Sequence, residues 1–182
     1  MLHIGTTKLE TERLILRRFS LNDAEDMFAN WVTDDEAARF WTWTPHKDIS
    51  ETIAYLKQWI SEYSDSEYYH WVIESKADNK AVGYIYLNSV NNEEKSAAVH
   101  YLICRRLWNN GLMSEACSRV IKFAFEEVGF HRIVSYHHIN NPAGGRVMQK
   151  CGMKFTGKEY HFSDNDDLNG DYCYYEIINT SY

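Results

Sequence analysis

Residues 108 to 116 read Trp-Asn-Asn-Gly-Leu-Met-Ser-Glu-Ala, a short turn between an apolar run and a long amphipathic stretch. A turn of Asn and Gly entering a helix gathers unpaired backbone N–H groups at one point and puts the positive end of the helix dipole beside them. That is the chemistry of an anion site, most naturally for phosphate. The turn is not a nucleotide P-loop, because no Gly-Lys-Ser/Thr follows Gly111. It also lacks the three spaced glycines of a dinucleotide-binding turn.

The elements around this turn must hold it in place. Met113, Ala116, Cys117, Val120, Ile121, Ala124, Phe125 and Val128 repeat at helical spacing and predict a helix from about Leu112 to Val128. Gly129 stands at its expected left-handed cap. An apolar strand, Arg132 to Ile139, follows. In Asn140-Asn141-Pro142-Ala143-Gly144-Gly145-Arg146-Val147-Met148-Gln149-Lys150-Cys151-Gly152, Asn141 can cap a helix, Pro142 fits its first position and Gly152 closes it. The order is strand, anion turn, helix, strand, capped short helix, strand.

With these motifs in view, the chain resembles the GNAT acyl-CoA-dependent N-acyltransferases, and within them the ribosomal-protein N-terminal acetyltransferase-like branch. In that branch the anion turn reads Trp-Gly-x-Gly-Tyr-Ala-Thr-Glu-Ala. The later motif reads Asn-x-Ala-Ser-x-Arg-Val-Met-Glu-Lys-x-Gly-Phe, which Asn141, Ala143, Arg146, Val147, Met148, Lys150 and Gly152 match in register. Thr11-Glu12-Arg13-Leu14-Ile15-Leu16-Arg17 resembles the branch's first strand. The resemblance runs from about Leu9 to Ile178. It implies a central mixed, mostly antiparallel α/β sheet of about seven strands with helices on both faces.

The resemblance further implies transfer of an acetyl group from acetyl-CoA to a primary amine. Asn109, Asn110, Gly111, Leu112, Met113 and Ser114 would then hold the pyrophosphate, with Asn141 and Arg146 also in the cofactor site. The backbone of Leu102, Ile103 and Cys104 would meet the pantetheine arm, with Leu102 and Ile103 N–H groups polarising the thioester oxygen. The family's strand often reads Ala-Glu-Ile-Gly-Tyr with Glu as base; here it reads Ala97-Ala98-Val99-His100-Tyr101. Ala98 occupies the carboxylate position. His100, two residues on and on the same face, is the candidate substitute base, with an ordinary pKa near ~6.5; the alternative is a histidine that packs beside the cleft and bonds a carbonyl. Gly144 replaces the serine that can reach the sulfur, and Met148 stands where other branches carry tyrosine. A thiol of pKa near ~8.5 can leave without an acid.

Aromatics are expected to line the acceptor site. Phe40-Trp41-Thr42-Trp43-Thr44-Pro45-His46 resembles the branch's overhanging segment, and Trp71, Tyr84 and Tyr86 fall on central strands. Trp41, Trp43, Trp71 and Tyr84 are the candidates for the cleft, able to pack an aliphatic stem or face a cation. The polar run Asp164-Asn165-Asp166-Asp167 reads as a solvated turn.

A length of 182 residues fits one domain spanning 1–182. Leu9 to Phe19 alternates as one strand. Helices are expected from Leu21 to about Val32, Asp34 to Phe40, and from Asp48 or Ser50. Strands follow at Tyr69 to Glu74, Ala81 to Ser89, Ala97 to Cys104, Met153 to Tyr160 and Tyr172 to Ile178. No spanning helix or signal peptide is read, which points to the cytoplasm and away from membranes. Cys104, Cys117, Cys151 and Cys173 lack metal-ligand spacing and read as free thiols; no metal site is expected. A net charge of −7 argues against nucleic-acid binding through a basic surface and is compatible with a cationic amine. The acceptor candidates include a protein or peptide N-terminal α-amine. The alternatives are a small-molecule acetyltransferase, for polyamines, amino acids or drugs, and a coenzyme A-binding module with little or no turnover. Either a monomer or a homodimer is compatible with the sequence.

Overall fold

A computed structural model describes residues 1–165 and 168–180. Asp166 and Asp167, part of the polar run above, lie outside the described residues. The chain runs β1 (Leu9–Glu10), β2 (Leu14–Arg17), α1 (Ala24–Asn30), α2 (Asp35–Ala38), α3 (Ile49–Ser61), β3 (Tyr69–Ser75), β4 (Lys80–Asn91), β5 (Ser96–Ile103), α4 (Leu112–Phe123), β6 (Arg132–His138), α5 (Pro142–Lys150), β7 (Lys154–His161) and β8 (Gly170–Ile178). A single π-helical turn, Ala124–Val128, extends α4 to the left-handed Gly129. Among the described residues, no helix is long and apolar enough to cross a membrane.

The strands form one sheet in the order β1-β2-β3-β4-β5-β6-β8-β7. Among the described residues, only β5 and β6 pair in parallel, and eight strands stand where about seven are expected, because Leu9 to Phe19 holds two strands and not one. The Thr11 N–H bonds the Leu14 carbonyl at 3.0 Å, and the Leu14 N–H bonds Thr11 Oγ1 at 3.0 Å. This tight turn folds β1 back on β2, pairing Leu9 with Leu16.

Period-two alternation sends the two faces of the sheet to different partners. Tyr69, Trp71 and Ile73 are fully buried on the face packed by α4, where Trp71 meets Phe123 edge-on with ring centroids 5.5 Å apart. His70, Tyr84 and Tyr86 take the opposite face, against Phe19 and Trp59 of the α1–α3 side. The start of that helical layer is fixed by charge. Arg17 makes a bidentate pair with Asp23 at 2.7 and 2.9 Å and reaches Glu74 at 2.7 Å. Asp23 is buried yet matched by these donors and by the Ser20 N–H, which avoids the cost of an unpaired interior charge.

β4 approaches β5 closely at Gly83. A Cβ there would collide with the Leu102 carbonyl and lie 2.8 Å from the Ile103 Cα. Gly83→Ala is therefore expected to destabilise the protein by about 1–3 kcal/mol through overpacking. Urea denaturation measures this; an unchanged midpoint would show that β5 is free to move away.

Candidate active site

β5 and β6 pair only through Ser96/Arg132, Ala97/Ile133 and Ala98/Val134. Beyond Ala98 they diverge and leave a fork in the middle of the sheet. On its other edge β5 stays paired with β4 as far as Ile103/Gly83. The Cys104 N–H continues this ladder by donating to the Val82 carbonyl at 2.8 Å. Successive N–H groups of a strand point to opposite neighbours. Leu102 and His100 therefore turn their N–H groups to β4, and Tyr101 and Ile103 turn theirs to the fork. Two further bonds agree with this parity. The Val99 carbonyl accepts from Ser135 Oγ on β6 at 2.8 Å, and the Ile103 carbonyl accepts from the Trp108 indole at 2.8 Å. The expectation for Leu102 is corrected accordingly. Its N–H lies on the β4 side, and the backbone donors open to the fork belong to Tyr101 and Ile103.

A cleft of about 370 Å³ opens at this fork, within the range of small-molecule sites. It runs between the end of β5, the start of α4 and α5, and the segment after α2. Of the expected cofactor residues, Leu102, Ile103, Asn109, Gly111, Leu112, Met113, Ser114, Asn141 and Arg146 line it. Cys104 and Asn110 do not. Cys104 is buried with its N–H spent on β4. The Asn110 carbonyl accepts from Arg13 at 3.1 Å, and its side chain bonds the Trp108 carbonyl.

The turn before α4 has the conformation an anion site requires. Asn109 (φ 63°) and Gly111 (φ 77°) are both left-handed, which Asn tolerates and Gly prefers. No side chain caps α4, and the first intrahelical bond runs from the Glu115 N–H to the Gly111 carbonyl. The N–H groups of Leu112, Met113 and Ser114 thus have no partner within the helix. Glu115 ties the turn to the N-terminal hairpin, accepting from the Arg13 N–H at 2.9 Å and from Arg13 Nε at 2.7 Å. Arg146 and Lys150 stand exposed along α5 at the same cleft. The residues present therefore fit a coenzyme A phosphate at α4 and a thioester at the fork.

α5 explains the missing serine. Asn141 caps it through the Gly144 N–H, and the Tyr101 hydroxyl donates to the Gly144 carbonyl at 3.0 Å. The His137 ring of β6 lies directly beneath. A Cβ on Gly144 would sit 3.1 Å from the His137 Cβ, and one on Gly145 would meet the imidazole at 2.5 Å. The two glycines let the helix settle on a histidine, and a serine at 144 would crowd it.

The acceptor candidates separate. Trp41 lines the cleft and packs on Tyr84 and Tyr86 at 5.4 and 6.3 Å. Phe40 also lines it and stacks on His138 at 5.5 Å. Trp71 is corrected to core: it is fully buried on the α4 face, and its indole donates to the Thr7 carbonyl at 2.6 Å. Trp43 and Tyr84 do not line the cleft. Trp43 is half-buried against His46 and bonds the Tyr84 hydroxyl, which is itself buried. Sequence reasoning missed Glu36, whose side chain sits at the cleft mouth 3.8 Å from Arg39. It belongs to α2, a four-residue helix that carries no motif.

His100 stacks on Tyr86 at 5.1 Å and meets Tyr136 edge-on at 5.1 Å. Burial pushes its pKa down to about 4, and that of His70 to about 3. His70 Nε2 finds no partner among the described residues. Both imidazoles are neutral at pH 7. The His100 ring is a far weaker base than the ordinary value implies.

Two outcomes follow. Gly111→Val, which forces a β-branched residue into a left-handed turn, is expected to weaken acetyl-CoA binding more than tenfold, about 1.4 kcal/mol; unchanged calorimetric affinity would contradict the turn's role. The depressed histidines bind protons more readily in the unfolded chain. Their stabilisation is complete above about pH 6.5 and is lost as pH falls toward about 4 and then 3. His100→Phe, which keeps the ring stacking, is expected to remove up to about 3 kcal/mol of that acid sensitivity in urea titrations between pH 7 and 4.

Known proteins resemble this chain in sequence and in fold. The acetyltransferase (GNAT) domain profile matches residues 13–154. The uncharacterized N-acetyltransferase YoaA of Bacillus subtilis (strain 168) is 30% identical over 149 residues, covering 82% of this chain and 84% of that protein. A GNAT-family acetyltransferase from Bacillus anthracis superposes with a TM-score of 0.82 at 22% identity, over 94% of this chain and 98% of that one. The ribosomal-protein-S5-alanine acetyltransferase of Vibrio fischeri gives 0.82 at 16% identity, over 96% and 98%. The matched span contains the fork, the turn before α4 and α5, and this chain belongs to the GNAT family and is an acetyl-CoA-dependent N-acetyltransferase.

Proposed function

We propose that the acceptor is a primary amine that reaches the fork already uncharged, an α-amine or another amine of low pKa in preference to a lysine side chain. The observation that carries this reading is the face of β5 beside the fork. Ala98 stands where the strand motif of the resembled family often has Glu, and His100 is held between two tyrosines with its pKa pushed down to about 4 by burial. Neither is a strong base at pH 7. An α-amine has a pKa near ~8 and a lysine amine near ~10.4, so at pH 7 the α-amine is neutral roughly two-hundredfold more often. The Vibrio fischeri neighbour is named for an alanine of ribosomal protein S5. That likeness carries the fold alone, and the choice of acceptor rests on the site.

When bound, acetyl-CoA supplies the thioester carbonyl that the amine attacks. The chain's own groups do the rest. The N–H groups of residues 112 to 114 and the α4 dipole hold the phosphates. The Tyr101 and Ile103 N–H groups, turned to the fork, would donate to a thioester oxygen held there as it gains charge; losing one such donor costs about 3 kcal/mol. Phe40 and Trp41 give one wall of the cleft an apolar surface. A second reading of the proton's path is favoured by one residue: Glu36, the carboxylate among the cleft-lining residues, can take the proton through water.

For a peptide offering both amines, mass spectrometry at pH 7 is expected to find the α-acetyl product in at least tenfold excess. kcat/KM is expected to rise with pH along the acceptor's own pKa, in wild type and in His100→Ala alike. A limb near pH 6–7 that vanishes in His100→Ala would restore the histidine as base. A limb that vanishes in Glu36→Gln would assign the proton to the carboxylate. Predominant ε-acetylation would overturn the α-amine preference.

A further inference from the structure

The sheet face that holds His100 continues past the fork as an open row of aromatics. Tyr136 on β6 is 40% exposed. Its ring lies 5.4 Å from Tyr174 and 5.7 Å from Tyr172, both on β8 and both half-buried. His161 on β7 closes the far side at 4.8 Å from Tyr172, and the Tyr174 hydroxyl bonds its Nε2 at 2.6 Å. Glu159 stands opposite Tyr172 in the ladder, and its carboxylate reaches to 3.8 Å from His161 and hydrogen-bonds Tyr174. The guanidinium groups of Arg18 and Arg39 lie over Tyr63 and Phe40 and not over these three tyrosine rings, although Phe40 reaches Tyr172 through His138. Three tyrosine rings with a carboxylate at their edge are the chemistry that receives an organic cation.

The placement connects this cluster to the reaction. Tyr136 is two residues beyond Val134, the last residue of β6 paired with β5, and His100 is two beyond Ala98. Their rings meet across the fork. From the fork to the centre of the tyrosines is one or two strand spacings, roughly 5–10 Å. An amine at the fork and a cation on the tyrosines therefore fit one short molecule.

We propose that the acceptor carries a second cationic group, an ammonium or guanidinium, seated on Tyr136, Tyr172 and Tyr174 and faced by Glu159. This rests on the acetyltransferase reading and adds the acceptor's substrate class. The second charge also helps the chemistry, because a nearby positive group lowers the pKa of the reacting amine. That suits a fork whose β5 face carries no strong base.

The test compares diaminobutane with butylamine, which differ in the second amine. Coenzyme A release measures kcat/KM, and acetyl-CoA affinity by calorimetry checks the fold of each variant. Wild type is expected to favour diaminobutane at least tenfold. That preference is expected to fall tenfold or more in Tyr136→Leu and Tyr174→Leu, to fall several-fold in Glu159→Gln, and to survive in Tyr136→Phe, which keeps the ring. A lysyl dipeptide set against its norleucyl counterpart extends the test to peptide acceptors; preference there and not for diaminobutane assigns the cation to a basic peptide. Equal rates in both pairs, with turnover present, would overturn the second-cation site and leave the enzyme reading intact. No release with any amine would instead overturn the acetyl-transfer reading on which it rests. Preference retained in both Leu variants would overturn the tyrosine assignment, and Glu159→Gln gives an independent check should either Leu variant lose acetyl-CoA binding.

Discussion

The parallel pairing of β5 with β6 lasts three residues and stops, and the cleft in the middle of the sheet depends on that stop. A buried strand cannot leave its polar groups empty without cost. Here the divergence is sustained by substitutes. Ser135 gives its hydroxyl to the Val99 carbonyl, and the Trp108 indole caps the Ile103 carbonyl. Both bonds satisfy acceptors and leave donors free. The same parity that fixes β5 to β4 turns the Tyr101 and Ile103 N–H groups into the gap.

The α4 end of the cleft is held by a different kind of contact. Arg13 joins the first hairpin to the turn before α4 through the Glu115 carboxylate and the Asn110 carbonyl. Its side chain is 47% exposed, so the ion pair contributes little to stability. Its consequence is positional. With Asn109 and Gly111 left-handed and no capping side chain, the first N–H groups of α4 stay directed at the cleft. On the other wall, Gly144 and Gly145 let α5 descend onto His137, and the Tyr101 hydroxyl ties that helix to β5. The departure from the family's serine is thus matched by a histidine beneath it.

The aromatic content of the chain divides by strand parity. Tyr69, Trp71 and Phe123 fill the α4 face as ordinary core. Residues one position away, His70, Tyr84, Tyr86 and His100, line the opposite face and run out from under α1 and α3 toward Tyr136. Burial holds the two histidines of this row neutral. The His100 side of the fork is therefore aromatic and poor in base, and the α4 side is rich in N–H groups and rimmed by Arg146 and Lys150.

Much of this was legible in the residues themselves. Helical spacing over Leu112 to Val128, the Asn109–Gly111 turn and the Asn141-Pro142 cap are local patterns, and local sterics and capping fix them wherever the segment lies. The ordered motifs gave the family and most of the cleft lining. What the sequence could not determine were matters of long-range pairing. One alternating run at Leu9 to Phe19 became two strands, because Thr11 satisfied the backbone of a turn inside it. Alternation said that Trp71 and Tyr84 would each face one side of the sheet, and only the packing of α4 and α3 decided which side was core. Leu102 and Tyr101 are indistinguishable as donors until the register with β4 assigns their directions. Glu36 came to the cleft mouth through the placement of a four-residue helix that carries no motif. Local patterns record which residues share a face, and the face that becomes a site is set by contacts between segments far apart in the chain.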